Sequence, residues 1–513
     1  MHTYMGLDIG TSVCKAAVFD AKGRLQALAR RTYALNVNPD GKAELDSTDV
    51  IKACRESIAE AARGRAENIR ALAISSQGEA FTPIDANGRA LCPAMVSSDT
   101  RASCYVAMEL PDLDHSGLYQ ITGHTPHPMF TLYKMLWLRD NRPAIWQSAV
   151  KFLCFEDLLH REFGLDPAIS WPLAGRTMMF DVRRHDWSVP ILNFLGLTPD
   201  KLSRPLQSGS IVGALTDNIA ASWGLPSGVL VVAGGHDQPC SALGAGAITP
   251  GSAMYATGTV DCITPAFTEP VFSADLMRAN LCTYDHAAPG LYATIAVNLT
   301  GGNALQWFHD EFGHSERANA NAGGRDAYEL LLETAAASSS SLLALPYLAS
   351  AGTPYFDTTT PGAILGLRLT TKRGDILRSL LEGLALEMRL NLEILAKAGV
   401  LVENLRAVGG GARSDWWNQL KADVLSHPVV VPDVTEAGCL GAAMLACAAH
   451  TGADVTTMAK SWVRPRKEYM PQRDAASFYT ERFAAYCNLY PTLRDFTRRQ
   501  TLNQKSNRSP PLK

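Results

Sequence analysis

The first 33 residues alternate apolar segments with short turns, a pattern typical of antiparallel strands. Residues 4–9, 13–20 and 25–33 are rich in apolar side chains, and the turns between them fall at Gly10–Ser12 and Lys22–Gly23. The pattern therefore predicts a three-stranded meander. A Rossmann dinucleotide site or a P-loop is disfavoured, because each needs a helix directly after the first strand.

Helical spacing of apolar residues follows the meander. It predicts a helix that Ser47 or Thr48 caps and that Gly64 ends, and the next apolar segment, 69–75, is a predicted buried strand. Strands and helices then alternate as far as Asp237. Such alternation predicts an α/β fold.

The opening pattern recurs near residue 252. Predicted extended segments at 252–257 and 260–264 flank a Gly258-Thr259 turn, much as the first two strands flank Gly10–Ser12. Internal duplication predicts two domains of similar fold. The other elements predicted for this half are helices over 373–398, 414–426 and 436–449 and strands over 405–408 and 428–431.

The length and composition of the chain predict a two-domain protein and do not indicate one that binds nucleic acid or membranes. A chain of 513 residues exceeds what one core usually serves, which again predicts two domains. With 47% hydrophobic residues and a net charge of -3, nothing indicates a nucleic-acid groove or a membrane surface. The 11 cysteines form no CxxC pair, and we predict reduced thiols. Neither a signal peptide nor an apolar run of transmembrane length is evident, so we expect a cytoplasmic protein. A homodimer is a separate expectation.

The turn after the first strand could hold phosphate. Asp8 stands at the strand end, and Gly10, Thr11 and Ser12 offer backbone N–H groups and hydroxyls, which attract anions. Asp8 could position a hydrated Mg²⁺, and Lys15 could add positive charge. The alternative is an ordinary hairpin turn rich in small residues.

A second glycine cluster, Gly409–Gly411, lies between a predicted strand and the helix that follows Ser414. Glycines let a flat ring or a phosphate approach the backbone, and a helix N-terminus attracts anions. The alternative is a strand-to-helix turn that needs glycine only for its backbone angles.

A carboxylate also lies at the predicted junction of the two halves. Asp237 follows the predicted strand 229–233 in the segment Gly-Gly-His-Asp-Gln. A positioned carboxylate can take the proton of a substrate hydroxyl as that oxygen attacks phosphorus. The alternative is an Asp that caps the predicted helix 239–246, and His236 is expected to pack or hydrogen-bond rather than act as a base.

Taken together, these motifs resemble the FGGY family of carbohydrate kinases. The resemblance runs from about residue 4 to 450 and comprises GLDIGTS, AGGHDQ, ATGT, GGGARSDWWNQLKADVL and EAGCLGAAMLA in this order. It implies two actin-like ATPase (ribonuclease H-like) domains with a catalytic cleft between them. The expected divisions are a sugar-binding domain at 1–247, a nucleotide-binding domain at 248–455, a helical extension at 456–500 and a disordered tail at 501–513.

The resemblance also implies roles for particular residues. Asp237 would be the catalytic base and would share a water-mediated Mg²⁺ with Asp8. The implied ATP-binding residues are Gly10, Thr11, Ser12, Lys15, Gly258, Thr259, Gly302, Gln306, Gly410, Gly411, Ser414 and Asp415.

Substrate choice would depend on residues where this chain departs from the family's better-known patterns. The implied sugar-binding residues are Gln77, Gly78, Glu79, Asp99, Arg101, Asp237 and Gln238. Xylulose kinases of the family usually show Gln-Met-His at 77–79 and glycerol kinases show Arg-Glu, so Gly78 lacks an arginine side chain and should leave extra room. The usual tryptophan is replaced by Ser97.

Three functions follow from this comparison. We expect ATP-dependent phosphorylation of a ketopentose such as xylulose, with a glycerol or polyol kinase as the alternative. An actin- or heat-shock-like ATPase that acts on a protein partner is the alternative of another class.

Overall fold

The computed structural model describes residues 2–110, 113–339 and 341–506. Its strands are β1 (Thr3–Ile9), β2 (Val13–Asp20), β3 (Leu25–Thr32), β4 (Asn36–Val37), β5 (Ala43–Leu45), β6 (Ile69–Ser76), β7 (Thr82–Ile84), β8 (Ala94–Met95), β9 (Lys151–Leu153), β10 (Ala168–Ser170), β11 (Phe180–Asp181), β12 (Asp186–Trp187), β13 (Arg204–Leu206), β14 (Ile211–Ala214), β15 (Leu230–His236), β16 (Gly251–Thr257), β17 (Asp261–Phe267), β18 (Tyr284–Asp285), β19 (Tyr292–Ala293), β20 (Ala296–Asn298), β21 (Leu343–Leu345), β22 (Ala363–Leu365), β23 (Val402–Val408), β24 (Val429–Pro432) and β25 (Pro465–Tyr469).

Helices connect these strands, and 3-10 turns occur at Ala66–Asn68, Ser103–Tyr105, Pro199–Lys201 and Gly410–Arg413. The helices are α1 (Ser47–Ala62), α2 (His115–Thr122), α3 (Thr131–Asn141), α4 (Pro143–Ser148), α5 (Phe155–Glu162), α6 (Trp171–Gly175), α7 (Val189–Leu195), α8 (Asp217–Ser222), α9 (Asp237–Ala245), α10 (Ala274–Arg278), α11 (Gly302–Phe312), α12 (His314–Gly323), α13 (Ala327–Ala336), α14 (Arg373–Lys397), α15 (Asp415–Leu425), α16 (Ala437–Thr451), α17 (Val455–Trp462) and α18 (Arg473–Ser506).

The N-terminal sheet has the strand order β14-β15-β6-β1-β2-β3. β1, β2 and β3 pair antiparallel as the predicted meander, whereas β1 pairs parallel with β6 and β6 with β15. Helix α1 packs on β2 and β3. Its predicted cap is wrong: the Asp46 carboxylate, not Ser47 or Thr48, caps the helix and accepts a hydrogen bond from Thr48 N at 2.8 Å. Asp46 is the last residue with extended backbone angles, the conformation that a cap needs.

The C-terminal sheet repeats this plan. β17 and β16 pair antiparallel, β16, β23 and β24 run parallel, and β25 closes the edge antiparallel to β24. The predicted duplication is therefore confirmed at the level of strand order. In both sheets a glycine-containing turn joins the first hairpin, and parallel strands end beside it.

The two halves of the chain meet through closely packed helices. A Cβ atom at Gly244 in α9 would lie 1.9 Å from Ala437 O, and one at Gly441 in α16 would lie 2.0 Å from Cys240 O. α16 also packs on β1 and β6, and Cys439 O would lie 1.8 Å from a Cβ at Gly6. Although α16 lies between β24 and β25 of the second sheet in sequence, it covers the first sheet.

The last part of the chain was predicted to be a helical extension over 456–500 and a disordered tail over 501–513. Residues 456–500 include β25, which completes the second sheet. α18 continues to Ser506, so 501–506 are helical, while 507–513 lie outside the described residues. α18 is held to the C-terminal domain by buried tyrosines: Tyr479 donates to Glu382 at 2.8 Å, and Tyr486 donates to Glu387.

Two further predictions concern the whole chain. All 11 cysteines are free, as expected. Within the part of the chain that the structure describes, no helix has the length and apolar character needed to cross a bilayer.

Candidate active site

The Asp8 carboxylate lies where three elements converge. Asp8 is the second-last residue of β1 and lies beside Ser75 of β6, whose hydroxyl donates to Asp8 Oδ1 at 2.7 Å. A Cβ atom at Gly438 of α16 would lie 2.8 Å from the same oxygen. Burial raises the pKa of Asp8 to about 6; the Ser75 hydrogen bond opposes the rise and the charge of Asp237 adds to it. The two carboxylates are therefore electrostatic neighbours.

Two side-chain hydrogen bonds stabilise the first Gly-Thr turn. Gly10 O accepts hydrogen bonds from Tyr33 OH at 2.5 Å and from Gln77 Nε2 at 2.9 Å. Thr11 and Ser12 are exposed at the tip of the turn. Gln77, predicted to bind sugar, thus supports the turn through its amide nitrogen, and its buried Oε1 has no hydrogen-bond partner among the described residues.

Lys15, predicted to bind ATP, pairs with Glu436, the residue directly before α16. Its Nζ lies 2.8 Å from Glu436 Oε2, and Arg30 pairs with the other oxygen of Glu436. Its ammonium group therefore helps to hold α16 against the first hairpin.

Eight predicted nucleotide residues line one cavity of about 690 Å³ in the C-terminal domain: Gly258, Thr259, Gly302, Gln306, Gly410, Gly411, Ser414 and Asp415. Its volume falls in the usual range for small-molecule sites. The N-terminus of α11 fixes the second Gly-Thr turn, since Gly302 N donates to Gly258 O at 2.8 Å and Asn303 N to Thr259 O at 3.2 Å.

Local packing explains the cavity's glycine and cap residues. A Cβ atom at Gly411 would lie 2.4 Å from Thr257 Cγ2, so a side chain there would displace the end of β16. Ser414 Oγ caps α15 by accepting from Trp417 N at 3.2 Å. The Asp415 carboxylate accepts from Lys467 Nζ at 2.6 Å, so β25 holds it.

Tyr328 and Lys421 are among the contributors to this region that were not predicted. Tyr328 of α13 lines the cavity and stacks on His309 at a ring-centroid distance of 4.6 Å. Lys421 is 1% exposed, and its Nζ donates to Thr257 Oγ1 at 2.5 Å, directly before the second Gly-Thr turn. Burial lowers the pKa of Lys421 to about 8, and the charge of Asp261 opposes the shift.

Asp237 is the first residue of α9, and its side chain is 30% exposed. Its Oδ1 lies 3.0 Å from Nε2 of the buried His236. Burial, then the charges of Asp261 and Asp237, raise the pKa of Cys262 in β17. Helix α9, which begins at Asp237, packs on β16 and β17, the hairpin that carries the second Gly-Thr turn. Gln238 Oε1 is buried without a partner among the described residues.

Glu79 occupies a strained backbone position next to Gly78. Its φ is 63°, which is rare for a non-glycine residue and typical of functional sites. Oε1 accepts from Arg176 Nε at 2.6 Å, and Oε2 accepts from Ser97 Oγ at 2.5 Å. Burial would raise the pKa of Glu79, but the charge of Arg176, with His236 and Lys134 adding to it, holds this pKa below its usual value. Glu79 is therefore an ionised carboxylate.

The extra room expected at Gly78 is absent. A Cβ atom there would lie 3.0 Å from the His236 ring and 3.3 Å from Arg176 Cβ, so these two side chains already fill the space. Arg176 was not predicted to belong to the site. The only signal was its isolation as one charged residue in the apolar segment WPLAGRTMMF, where a buried cation needs a partner.

His124 also holds the guanidinium group of Arg176 in place. His124 Nδ1 donates to Thr122 O at 2.7 Å, which leaves Nε2 free to accept from Arg176 Nη1 at 3.1 Å. Burial and the charge of Arg176 lower the pKa of His124 to about 3, so this histidine is neutral.

Asp99 and Arg101 form a buried ion pair. Asp99 Oδ1 accepts from Arg101 Nε at 2.9 Å, and Oδ2 accepts from Ala43 N at 2.9 Å. Arg101 Nη2 also donates to Glu44 Oε1 at 2.6 Å. These contacts tie the segment to β5, and sugar binding by the two residues stays a prediction.

The chain matches known proteins along its length. Residues 3–244 match the N-terminal-domain model and residues 253–450 the C-terminal-domain model of the FGGY family of carbohydrate kinases. The chain belongs to this family. The kinase is accordingly a phosphotransferase with an alcohol group as acceptor and uses ATP.

Three relatives illustrate the range within the family. The kinase is 28% identical to a gluconokinase of Bacillus licheniformis, covering 95% of this chain and 96% of the relative. It is 30% identical to an autoinducer-2 kinase of Klebsiella pneumoniae subsp. pneumoniae, covering 96% and 94%. A crystal structure described as a xyloylose kinase from Brucella ovis is 29% identical and superposes with a TM-score of 0.87, covering 96% and 100%. The predicted pair of actin-like ATPase domains is thereby confirmed.

Proposed function

We propose that this kinase transfers the γ-phosphoryl group of ATP to a hydroxyl of a neutral ketopentose such as xylulose. The observation that carries the proposal is the position of Asp237, a partly exposed carboxylate that begins α9, a helix packed on the hairpin of the second Gly-Thr turn. Asp237 also follows β15, which pairs with β6 where Ser75 binds Asp8. A carboxylate so placed can accept the hydroxyl proton as the oxygen attacks phosphorus.

Charge around Glu79 favours a neutral sugar over a sugar acid. Among the described residues here, Arg176 is paired with Glu79, and Lys134 Nζ donates to Glu79 O and Met95 O, both at 3.3 Å. His124 and His127 are neutral at pH 7, because burial lowers their pKa to about 3 and about 4. Arg176 is therefore neutralised by Glu79, and Lys134 is fully buried with its ammonium group directed at backbone carbonyls, so neither offers its charge to a substrate carboxylate.

A polyol such as glycerol is the second candidate. Glycerol kinases of the family place an arginine directly before the glutamate, and in this kinase Arg176 brings a guanidinium to Glu79 from another segment. A protein-directed ATPase is disfavoured, because both domains match a carbohydrate kinase family.

Mg²⁺ fits the two carboxylates at the base of the cleft. Among the described residues no set of three or more His, Cys, Asp or Glu side chains is grouped for a metal. Mg²⁺ in kinases is commonly held by one or two carboxylates together with phosphate oxygens, which Asp8 and Asp237 could supply with ATP. When bound, the ion would neutralise phosphate charge, and a cation would also relieve the repulsion between the two carboxylates. Thr11 and Thr259 would approach the phosphates from opposite domains.

A coupled ADP-release assay with ketoses, aldoses, polyols and sugar acids tests the proposal. We expect ADP formation to depend on added sugar, with a ketopentose giving the highest kcat/KM and sugar acids giving little. ADP formation that is independent of every acceptor would contradict kinase function, and a preference for a sugar acid would contradict the neutral pocket. The cytoplasmic location and homodimer remain predictions.

A further inference from the structure

His236 connects Asp237 to the C-terminal half of the chain. Its Nε2 lies 3.0 Å from Asp237 Oδ1, and its Nδ1 lies 3.0 Å from Tyr284 OH. Tyr284 belongs to β18, beyond the boundary of the N-terminal domain model. The chain of contacts Tyr284–His236–Asp237 therefore crosses between the two halves of the sequence.

Tyr284 fixes which ring nitrogen of His236 carries the proton. Tyr284 is fully buried, and burial raises the pKa of its phenol well above the usual value, so the phenol keeps its hydrogen. As the phenol donates this hydrogen to Nδ1, the ring hydrogen of the imidazole lies on Nε2. This edge of the ring contacts Asp237, with Nε2 3.0 Å from Oδ1.

The segment that carries Tyr284 is itself anchored to the N-terminal domain. Asp285 Oδ1 lies 3.0 Å from His185 Nε2, and the His185 ring stacks on Trp171 with centroids 3.9 Å apart. Tyr284 also packs on Gly175 of α6, where a Cβ atom would lie 3.4 Å from the tyrosine. The phenol therefore has a fixed position relative to α9.

We propose that His236 and Tyr284 are positioning residues for Asp237. The close contact of His236 Nε2 with Oδ1 restricts the rotation of the carboxylate, and Oδ2 is then the oxygen that receives the proton of the acceptor hydroxyl. Because this role presupposes that Asp237 is the base, the test separates the two claims.

Steady-state kinetics of single and double variants provide that test. His236→Leu replaces the imidazole ring and its N–H with an apolar side chain. Tyr284→Phe removes only the phenol oxygen. We expect each to lower kcat on the order of tenfold, with the KM for ATP and for sugar changed less than about twofold, because misplacing a catalytic group acts on the chemical step. His236→Gln, whose amide can donate from a similar position, should recover most of kcat.

A double-variant cycle distinguishes positioning from a merely structural effect. In an Asp237→Asn background, His236→Leu should change the residual rate by less than about twofold, because the group it positions is gone. Tyr479→Phe, which removes a buried phenol far along the chain in α18, is the matched control and should keep the parent kcat.

Three outcomes would overturn one of the claims. Parent-like kcat in both His236→Leu and Tyr284→Phe, with Asp237→Asn inactive, would overturn the positioning role alone. An equal loss from His236→Leu with and without Asp237 would also overturn it. High activity of Asp237→Asn would overturn the proposed base itself.

Discussion

Replacing Arg176 with methionine should destabilise the fold around the acceptor pocket. Arg176 and Glu79 form an ion pair whose side chains are 7% and 3% exposed. Removing one partner of a buried pair typically costs about 3–5 kcal/mol, because the other charge stays buried and unpaired. At about 2–4 °C per kcal/mol for a domain of this size, the melting temperature should fall by roughly 6–20 °C.

The fall should grow with pH, and its direction identifies the cause. In the parent, Arg176 holds the pKa of Glu79 below its unfolded value, so the stability from this pair is present above the unfolded pKa and is lost as pH falls through the folded pKa. In Arg176→Met burial acts without that charge and should raise the pKa of Glu79, so the variant loses stability as pH rises above about 4.3. The difference in Tm should therefore widen between about pH 5 and about pH 7.

Scanning fluorimetry across this pH range measures both effects. Arg184→Met is the matched control, because Arg184 is 85% exposed and an exposed ion pair is worth only about 0–1 kcal/mol. Arg176→Met/Glu79→Gln should regain part of the lost Tm, since no uncompensated charge remains. A Tm for Arg176→Met within about 2 °C of the parent at every pH would refute the reasoning.

Three further substitutions address the acceptor pocket, the nucleotide site and the C-terminal helix. Gly78→Ala should raise the sugar KM several-fold and leave the ATP KM unchanged in steady-state assays, because its methyl group would press on His236 and Arg176; an unaltered sugar KM would exclude this region from the pocket. Lys421→Gln should raise the ATP KM, since Thr257 loses the ammonium group that holds it, and parent-like ATP binding would remove Lys421 from the site. Burial raises the pKa of Glu387 to about 7, so the folded state binds the extra proton and stability from this group falls as pH rises from its unfolded value towards 7. Glu387→Gln should therefore show a smaller drop in Tm over that range, and an identical pH profile would contradict the assignment.

Much of the fold could be predicted because it is encoded locally. The meander, the repeated Gly-Thr hairpin and α14 follow from hydrophobic period and turn residues within short windows. The cap of α1 was missed by one residue, since Asp46, Ser47 and Thr48 are all good caps and only backbone angles decide among them. The polar composition of 501–506 did not indicate that α18 continues to Ser506, since the helix is held to the domain by tertiary hydrogen bonds from Tyr479 and Tyr486, which a local pattern does not show.

Some residues of the candidate site could likewise be predicted from local motifs, whereas others depend on tertiary contacts. The nucleotide glycines lie in motifs, and eight of the predicted residues share one cavity. Arg176 and Tyr284 lie outside the motifs, and Lys421 lies within GGGARSDWWNQLKADVL without any local sign of its role; each reaches its partner across a long sequence separation. The space at Gly78 was misjudged for this reason: a sequence shows a missing side chain, whereas only the fold shows which distant side chain replaces it.

The most direct test of the central claim is the single-turnover rate of phosphoryl transfer in Asp237→Asn, followed by rapid quench with labelled ATP and saturating sugar. Amide for carboxylate keeps the size of the side chain and removes its ability to accept a proton. The expected result is a rate at least about 10²-fold below the parent, with ATP binding retained. Transfer at close to the parent rate would contradict the role of Asp237 as the base.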